Sequence, residues 1–270
     1  MTIHQLPTGT YETRAALAVK GGSFGDRRHF AATSVLVRHP AGDLLIDAGF
    51  GARVAEHVAM LPRFVRAPYA ASRTVDDQLD ASGYDRGRLL GVLVTHSHWD
   101  HVSGLAELRV PVWINAAERA YAAQDPDGKV FRHLSPSLDV HEYALDGPSY
   151  LGFRTSLDVH GDGSVVVALA GGHTPGSVAV FVTLPTGARY AFIGDLTWQL
   201  DGIRDRVERP WLLSRLADSD RGQLRRSLLG AIALTGVMTV VPAHDRDAYA
   251  TIPLLPERFP TGPAAEQAGS

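Results

Sequence analysis

The sequence predicts an α/β protein whose sheets are covered by helices, and three observations carry that class. Short apolar runs rich in β-branched residues recur along the chain, each bounded by Gly, Pro, Asp or His, as strands are. Segments with helix caps and helical periodicity lie between them, so neither element type segregates to one end. Finally, 270 residues with 45% hydrophobic side chains can bury a sizeable core, as one large domain or two merged halves.

The strand candidates, in order, are "TSVLVRH" (33–39), "DLLIDAG" (43–49), "GVLVTH" (91–96), "VPVWIN" (110–115), "SVVVALA" (164–170), "SVAVFVTL" (177–184), "YAFIGD" (190–195) and "VMTVVPAH" (237–244). A Gly-containing hairpin signal, "LPTGARY" (184–190), joins two of them. Among the helices, "TVDDQLDASG" (74–83) has a Thr cap, early acids and a Gly stop. "NAAERAYAAQ" (115–124) opens on an Asn cap. "SDRGQLRRSLLGAIALTG" (219–236) sets Leu224, Leu228 and Ile232 at i, i+4 spacing before a Gly stop. The end, "TGPAAEQAGS" (261–270), reads as a frayed, disordered tail, so a single domain is expected over residues 1–260.

A net charge of −3 and a pI near 6.4 give no basic footprint for nucleic acid. Charges are interspersed, so neither an acidic tail nor a polybasic membrane patch is present. No stretch approaches the roughly 18 apolar residues of a membrane span. The start, "MTIHQLPTGTYETRAALAV", lacks the basic and apolar regions of a signal peptide. The expectation is a cytoplasmic protein acting on a small molecule, without nucleic-acid or membrane partners, as a monomer or homodimer. The absence of cysteine removes disulfides, thiolate nucleophiles and sulfur-ligated metals.

There is no short-period repeat, but a looser echo exists. Twice, an apolar run ending in Asp ("LLIDAG", "AFIGD") precedes one ending in His ("VLVTH", "VVPAH"). This pattern suggests two related half-structures that face each other and project polar residues from strand ends into a shared cleft.

The densest chemistry lies in "VLVTHSHWDHVSGL" (92–105), with His96, His98, Asp100 and His101. Residues i and i+2 point apart on a helix but share a face on an extended chain. His96 and His98 could therefore grip one metal, while Asp100 and His101, at the turn into the next helix, are offset toward a second. Nitrogen and carboxylate donors suit Zn²⁺, and also Fe, Mn or Co. Further candidates stand at similar strand ends: His173 in "GGHTPGS", Asp195 in "FIGD" and His244 in "VPAH". Singly, each would be an ordinary cap or turn residue; their joint occurrence points to a site. His4, His29, His39, His57, His133, His141 and His160 lack such contexts. No G-x-S-x-G occurs, and "GGSFG" (21–25) reads as a flexible turn rather than a serine nucleophile.

The ordered pattern of His96-x-His98-x-Asp100-His101, His173 in "GHTPGS", Asp195 in "GD" and His244 in "PAHD" resembles the metallo-β-lactamase superfamily, from about Asp47 to Asp245. The resemblance implies an αβ/βα sandwich with a binuclear site at one edge of its two sheets. It implies two divalent metal ions per chain, Zn²⁺ leading, with Fe, Mn or Co as alternatives. His96, His98 and His173 would hold the first ion, Asp100, His101 and His244 the second, with Asp195 bridging and Asp47 supporting the ligands from behind.

Within that superfamily, the missing cysteine and a bridging Asp195 argue against β-lactamases. His98, where flavodiiron oxidoreductases place Glu, favours a hydrolytic pair. The chain is too short and too weakly basic to resemble the RNA-processing nucleases. It looks most like the quorum-quenching lactonase and esterase group, which shares the ligand set, the "HTPG" turn and an "HD" pair like His244-Asp245. The implied reaction is attack of a metal-activated water on an ester-like carbonyl, with Asp100 orienting the nucleophile and passing its proton to the leaving alkoxide. Lactones, such as acyl-homoserine lactones, lead as substrates. Phosphoester (organophosphate) or glyoxalase II-like thioester hydrolysis are alternatives on the same metals. An alternative from another class is a mononuclear non-haem iron dioxygenase using the His96, His98, and His173 or Asp195 side. One departure stands out: the lactonases place Tyr three residues after the bridging Asp, where this chain has Trp198, which offers only an N–H and an apolar face. Phe64, Tyr69, Trp198 and Trp211 lie in two insertion-like segments (60–73 and 195–213), and His133 in "DPDGKVFRHLSPS" (125–137). These five are the candidate pocket walls.

Overall fold

A computed structural model describes residues 1–259, so the tail expected at 261–270 lies outside the described residues. Each strand candidate forms a strand. In chain order the strands are β1 (Thr2–Arg14), β2 (Arg27–Arg38), β3 (Asp43–Ile46), β4 (Tyr69–Ala71), β5 (Leu89–Leu93), β6 (Val112–Asn115), β7 (Val140–Tyr143), β8 (Ser156–Asp158), β9 (Val165–Leu169), β10 (Val178–Thr183), β11 (Arg189–Phe192) and β12 (Thr239–Val241). They pair into a seven-stranded sheet, β4-β1-β2-β3-β5-β6-β7, and a five-stranded sheet, β12-β11-β10-β9-β8.

The two-residue alternation of strand side chains sets the layering. Leu36 and Leu45, on one face of the first sheet, pack with Leu79 and Phe131 from the helices Val75–Ala81 and Lys129–Leu134. Their neighbours Val35, Val37, Leu44 and Ile46 point the other way and meet Val167, Val180 and Phe192 of the second sheet. The outer face of the second sheet, with Val166, Ala168 and Phe181, packs on Leu224 and Leu228 of the helix Arg221–Ala233. The order is helix, sheet, sheet, helix: an αβ/βα sandwich. Burial on both faces is why these strands read as nearly continuous apolar runs.

Local signals explain the connections. Thr74 and Asp77 form a reciprocal capping box, with bonds of 3.1 and 3.2 Å, at the start of Val75–Ala81. Asn115 caps the helix Ala116–Gln124. The "LPTGARY" turn joins antiparallel β10 and β11, with Gly187 at φ +85° donating its N–H to the Leu184 carbonyl. Asp220 caps the helix Arg221–Ala233 by accepting the Gln223 N–H at 2.9 Å.

The echo in the sequence has a structural counterpart. β3 and β5 are parallel neighbours in one sheet, as are β11 and β12 in the other. In each pair the first strand runs out into an Asp, Asp47 or Asp195, and the second into a His, His96 or His244. β1 was not evident from the sequence, since Pro7 and Gly9 interrupt its pattern. Its pairing with β2 shifts register between those two residues, a bulge that tolerates the proline.

Candidate metal centre

All the candidate donors leave the carboxyl ends of strands on one edge of the sandwich. His96 and His98 follow β5, and Asp100 and His101 occupy the short helix Trp99–Val102. His173 follows β9, Asp195 follows β11 and His244 follows β12. They converge as two groups, His96, His98, His173 and Asp195, and then Asp100, His101 and His244, the donor atoms within each lying within 4.8 Å of one another. Asp195 faces both. Its Oδ2 lies 3.8 Å from His96 Nε2 and 3.5 Å from His173 Nε2, while its Oδ1 lies 3.4 Å from His101 Nε2 and 3.0 Å from His244 Nε2.

The hydrogen bonds behind the imidazoles show that this cage suits a cation. His101 Nδ1 is tied to Asp47 Oδ2 at 2.7 Å, His244 Nδ1 to the Ala31 carbonyl at 2.8 Å, and His173 Nδ1 to Asp218 Oδ1 at 2.9 Å. Each of these acceptors holds a proton on Nδ1, which leaves Nε2 with a free electron pair aimed inward. His101 Nε2 and His244 Nε2 then face each other at 3.3 Å, which needs a shared proton or a cation between them. His96 Nε2 and His98 Nε2 are buried without any hydrogen-bond partner. Groups of this His and Asp composition hold divalent metals.

The electrostatics carry the same message. Burial opposes a proton on His101, but the charge of Asp47 and bonds to Asp195 and Asp47 lift its pKa well above the ordinary value. His244 is raised too, the Asp195 charge outweighing burial. His96 is pushed far down, by burial and then by His101, and His173 falls to about 4, mainly through burial. Burial would raise Asp195, but His244 and His96 hold it well below the carboxylate range.

Asp47 lies directly behind His101. Held at φ +56°, it takes the Thr95 N–H and hydroxyl at 2.7 and 2.8 Å in addition to His101. Trp198 donates its indole N–H to Asp195 Oδ2 at 2.7 Å and packs edge-on against Phe30. Its polar atom is thus occupied by the carboxylate. Tyr69 packs against Phe50 at a centroid distance of 6.1 Å. The side chain of Phe64 lies outside the described residues. Trp211 and His133 are not brought to the cluster. Trp211 is 58% exposed beneath Arg215, because its helix turns that face to solvent, and His133 is an exposed residue lying against His57.

Three participants were missed. Asp218, behind His173, also accepts from Ser214 Oγ at 2.6 Å and ion-pairs with Arg209. Arg209 in turn donates to the Asp195 carbonyl and lies 4.3 Å over the Trp198 ring. Tyr11, from β1, stacks on Phe30 and meets the His244 ring edge-on at 5.5 Å. Its pKa is raised well above that of a free phenol, by burial first and then by the charges of Asp100 and Asp195 and a hydrogen bond with Asp100. Asp218 and Arg209 lie in polar stretches without any local mark. Only the missed strand could have pointed to Tyr11.

The fold and the double His/Asp cluster define a metal-dependent hydrolase built as an αβ/βα sandwich. The family model of the metallo-β-lactamase superfamily matches residues 27–244, and the chain belongs to that superfamily. A probable metallo-hydrolase of Mycobacterium tuberculosis is 26% identical over 234 residues, covering 80% of this chain and 74% of that one. The N-acyl homoserine lactonase AttM of Agrobacterium fabrum is 26% identical over 232 residues, covering 83% of this chain and 85% of its own. Among solved structures, an N-acyl homoserine lactone hydrolase with the product N-hexanoyl-L-homoserine at its catalytic metal center superposes with a TM-score of 0.73. It shares 16% identity, and the match covers 94% of this chain and 98% of that one. Among the described residues, no helix is long and apolar enough to cross a membrane.

Proposed function

We propose that this metal-dependent hydrolase cleaves an ester-like bond at a pair of divalent ions, with lactones, acyl-homoserine lactones among them, as the leading substrate class. The carrying observation is Asp195, whose two carboxylate oxygens each face one of two groups of imidazoles already oriented from behind. His96, His98 and His173 would hold one ion, and Asp100, His101 and His244 the other, with Zn²⁺ leading over Fe, Mn and Co. When bound, such a pair supplies Lewis-acid polarisation of a carbonyl and a nucleophile drawn from water near neutral pH.

The chain's own groups do the rest. Asp100, with Oδ2 3.5 Å from His244 Nε2, orients the nucleophile and carries its proton to the leaving alkoxide. Asp47 and Asp218 keep His101 and His173 in the tautomer with Nε2 free, and the Trp198 N–H fixes Asp195. On the His244 side, Tyr11, Trp99, Phe50 and Tyr69 form a contiguous aromatic wall. Phe50 is buried at its back, and its half-buried members Tyr11, Trp99 and Tyr69 would receive the acyl portion of the substrate. The AttM relatives support the lactone assignment by their lactonase name. The test is a screen of the metal-loaded protein on acyl-homoserine lactones, aryl esters, thioesters and phosphotriesters. Fastest turnover of the lactones is expected; a preference for thioesters or phosphotriesters would reassign the substrate. One iron per chain with oxygen consumption would overturn the hydrolase reading.

A further inference from the structure

The helix Ala116–Gln124 places Glu118 in its first turn, completely buried. Its carboxylate is met by three donors. Oε1 accepts the Ser97 N–H at 2.8 Å and the Ser97 hydroxyl at 2.7 Å, and Oε2 accepts the Thr174 hydroxyl at 2.5 Å. Ser97 stands between His96 and His98, and Thr174 follows His173. One carboxylate therefore grips both segments that present the first group of histidines.

A second observation shows how closely these parts are fitted. A Cβ added to Gly176 would lie 2.0 Å from Glu118 N and 2.5 Å from its Cα, so the turn after His173 rests directly on the start of the helix. The Ser177 hydroxyl closes the same turn on the Thr174 carbonyl at 3.1 Å. Burying a charged group is expensive and a poor source of fold stability. What this carboxylate secures is geometry.

We infer that Glu118 is a positioning residue of the metal centre: its two oxygens fix the separation of Ser97 from Thr174, and so the spread of His96, His98 and His173 around the ion they would hold. The inference rests on the metal reading of those histidines. Its signature is coupling at a distance. Ser97→Ala and Thr174→Val should have non-additive effects on metal affinity, and that coupling should vanish once Glu118 is replaced.

The test uses the full chain loaded with Co²⁺, whose visible absorption reports ligand geometry, and competes the metal away with a chelator. In Glu118→Gln, the group that three donors converge on becomes neutral, and its amide nitrogen can meet Thr174 only if that hydroxyl turns from donor to acceptor. Metal affinity should fall about 10–100-fold, with a shifted cobalt spectrum. Thr174→Val leaves the carboxylate with two donors and should give a smaller loss in the same direction. A Glu118→Gln protein with the wild-type spectrum and competition curve would overturn the inference, whatever its melting temperature. If that variant does not fold, an unchanged Thr174→Val overturns it instead. A wild type that takes up no cobalt would overturn the metal reading itself, and the failure would then lie in the wild type rather than the variants.

Discussion

Asp218→Asn removes a negative charge from behind His173 while keeping the shape of the side chain. An amide oxygen can still accept the His173 Nδ1–H, now 2.9 Å away, and its NH₂ can face the Ser214 hydroxyl, now at 2.6 Å. What disappears is the counter-charge of Arg209, whose side chain is only 4% exposed. Unpairing a buried ion typically costs about 3–5 kcal/mol. Arg209 keeps its bond to the Asp195 carbonyl and its place over Trp198, so the lower end, about 3 kcal/mol, is expected. For a chain of this size that corresponds to a fall in Tm of roughly 6–12 °C. His173 also loses a charged acceptor, which should weaken metal binding about 10–100-fold.

Thermal unfolding and chelator competition measure the two effects separately. The double variant Asp218→Asn/Arg209→Met removes the stranded cation, so it should regain much of the stability and none of the affinity. Burial works to raise the Asp218 pKa, but the Arg209 charge and the bonds from His173 and Ser214 hold it below the ordinary carboxyl value. A depressed folded-state pKa means the stabilisation is fully present above the unfolded value of about 3.9 and is lost as pH falls through the folded value. The gap in stability between wild type and Asp218→Asn should therefore narrow below about pH 4. Wild-type metal affinity in Asp218→Asn would refute the idea that this carboxylate acts through His173.

His98→Ala and Asp195→Ala should each abolish turnover and lower metal content while the far-ultraviolet circular dichroism stays native; normal turnover in both would refute the assigned site. Chelation should lower Tm, and restored metal should raise it in a concentration-dependent way, because the ions bind only the folded arrangement. Trp198→Phe deletes the N–H on Asp195 Oδ2, a charged hydrogen bond worth about 1.5–3 kcal/mol, and should show as weaker metal retention in chelator competition.

The layers and the donor set were legible because both are written in local patterns. Strands buried on two faces must be apolar throughout, and donors placed at strand ends must interrupt those runs, so "VLVTH", "FIGD" and "VVPAH" mark strand and donor together. Asp218 carries no such mark. It lies 45 residues from His173 in a polar turn, and only the packing of the helix Arg221–Ala233 against the second sheet brings it behind the imidazole. Trp211 shows the converse. An aromatic near the donors in sequence suggested a wall, but helical geometry turned it to solvent, while Tyr11, more than 80 residues before the dense loop, supplies the aromatic face. Sequence order locates what a strand end presents, but it does not say what a neighbouring element lays against it.

Neither sheet holds a complete donor set. His96, His98, Asp100 and His101 come from the first sheet, while His173, Asp195 and His244 come from the second. A nascent chain therefore cannot close either proposed ion site when its first half emerges. The first site lacks His173 and Asp195, and the second stays open until His244 near the far end has been made. Tight metal capture then marks the final step of assembly, when the two sheets have docked. Stalled or truncated chains would be left with loosely held, exchangeable metal.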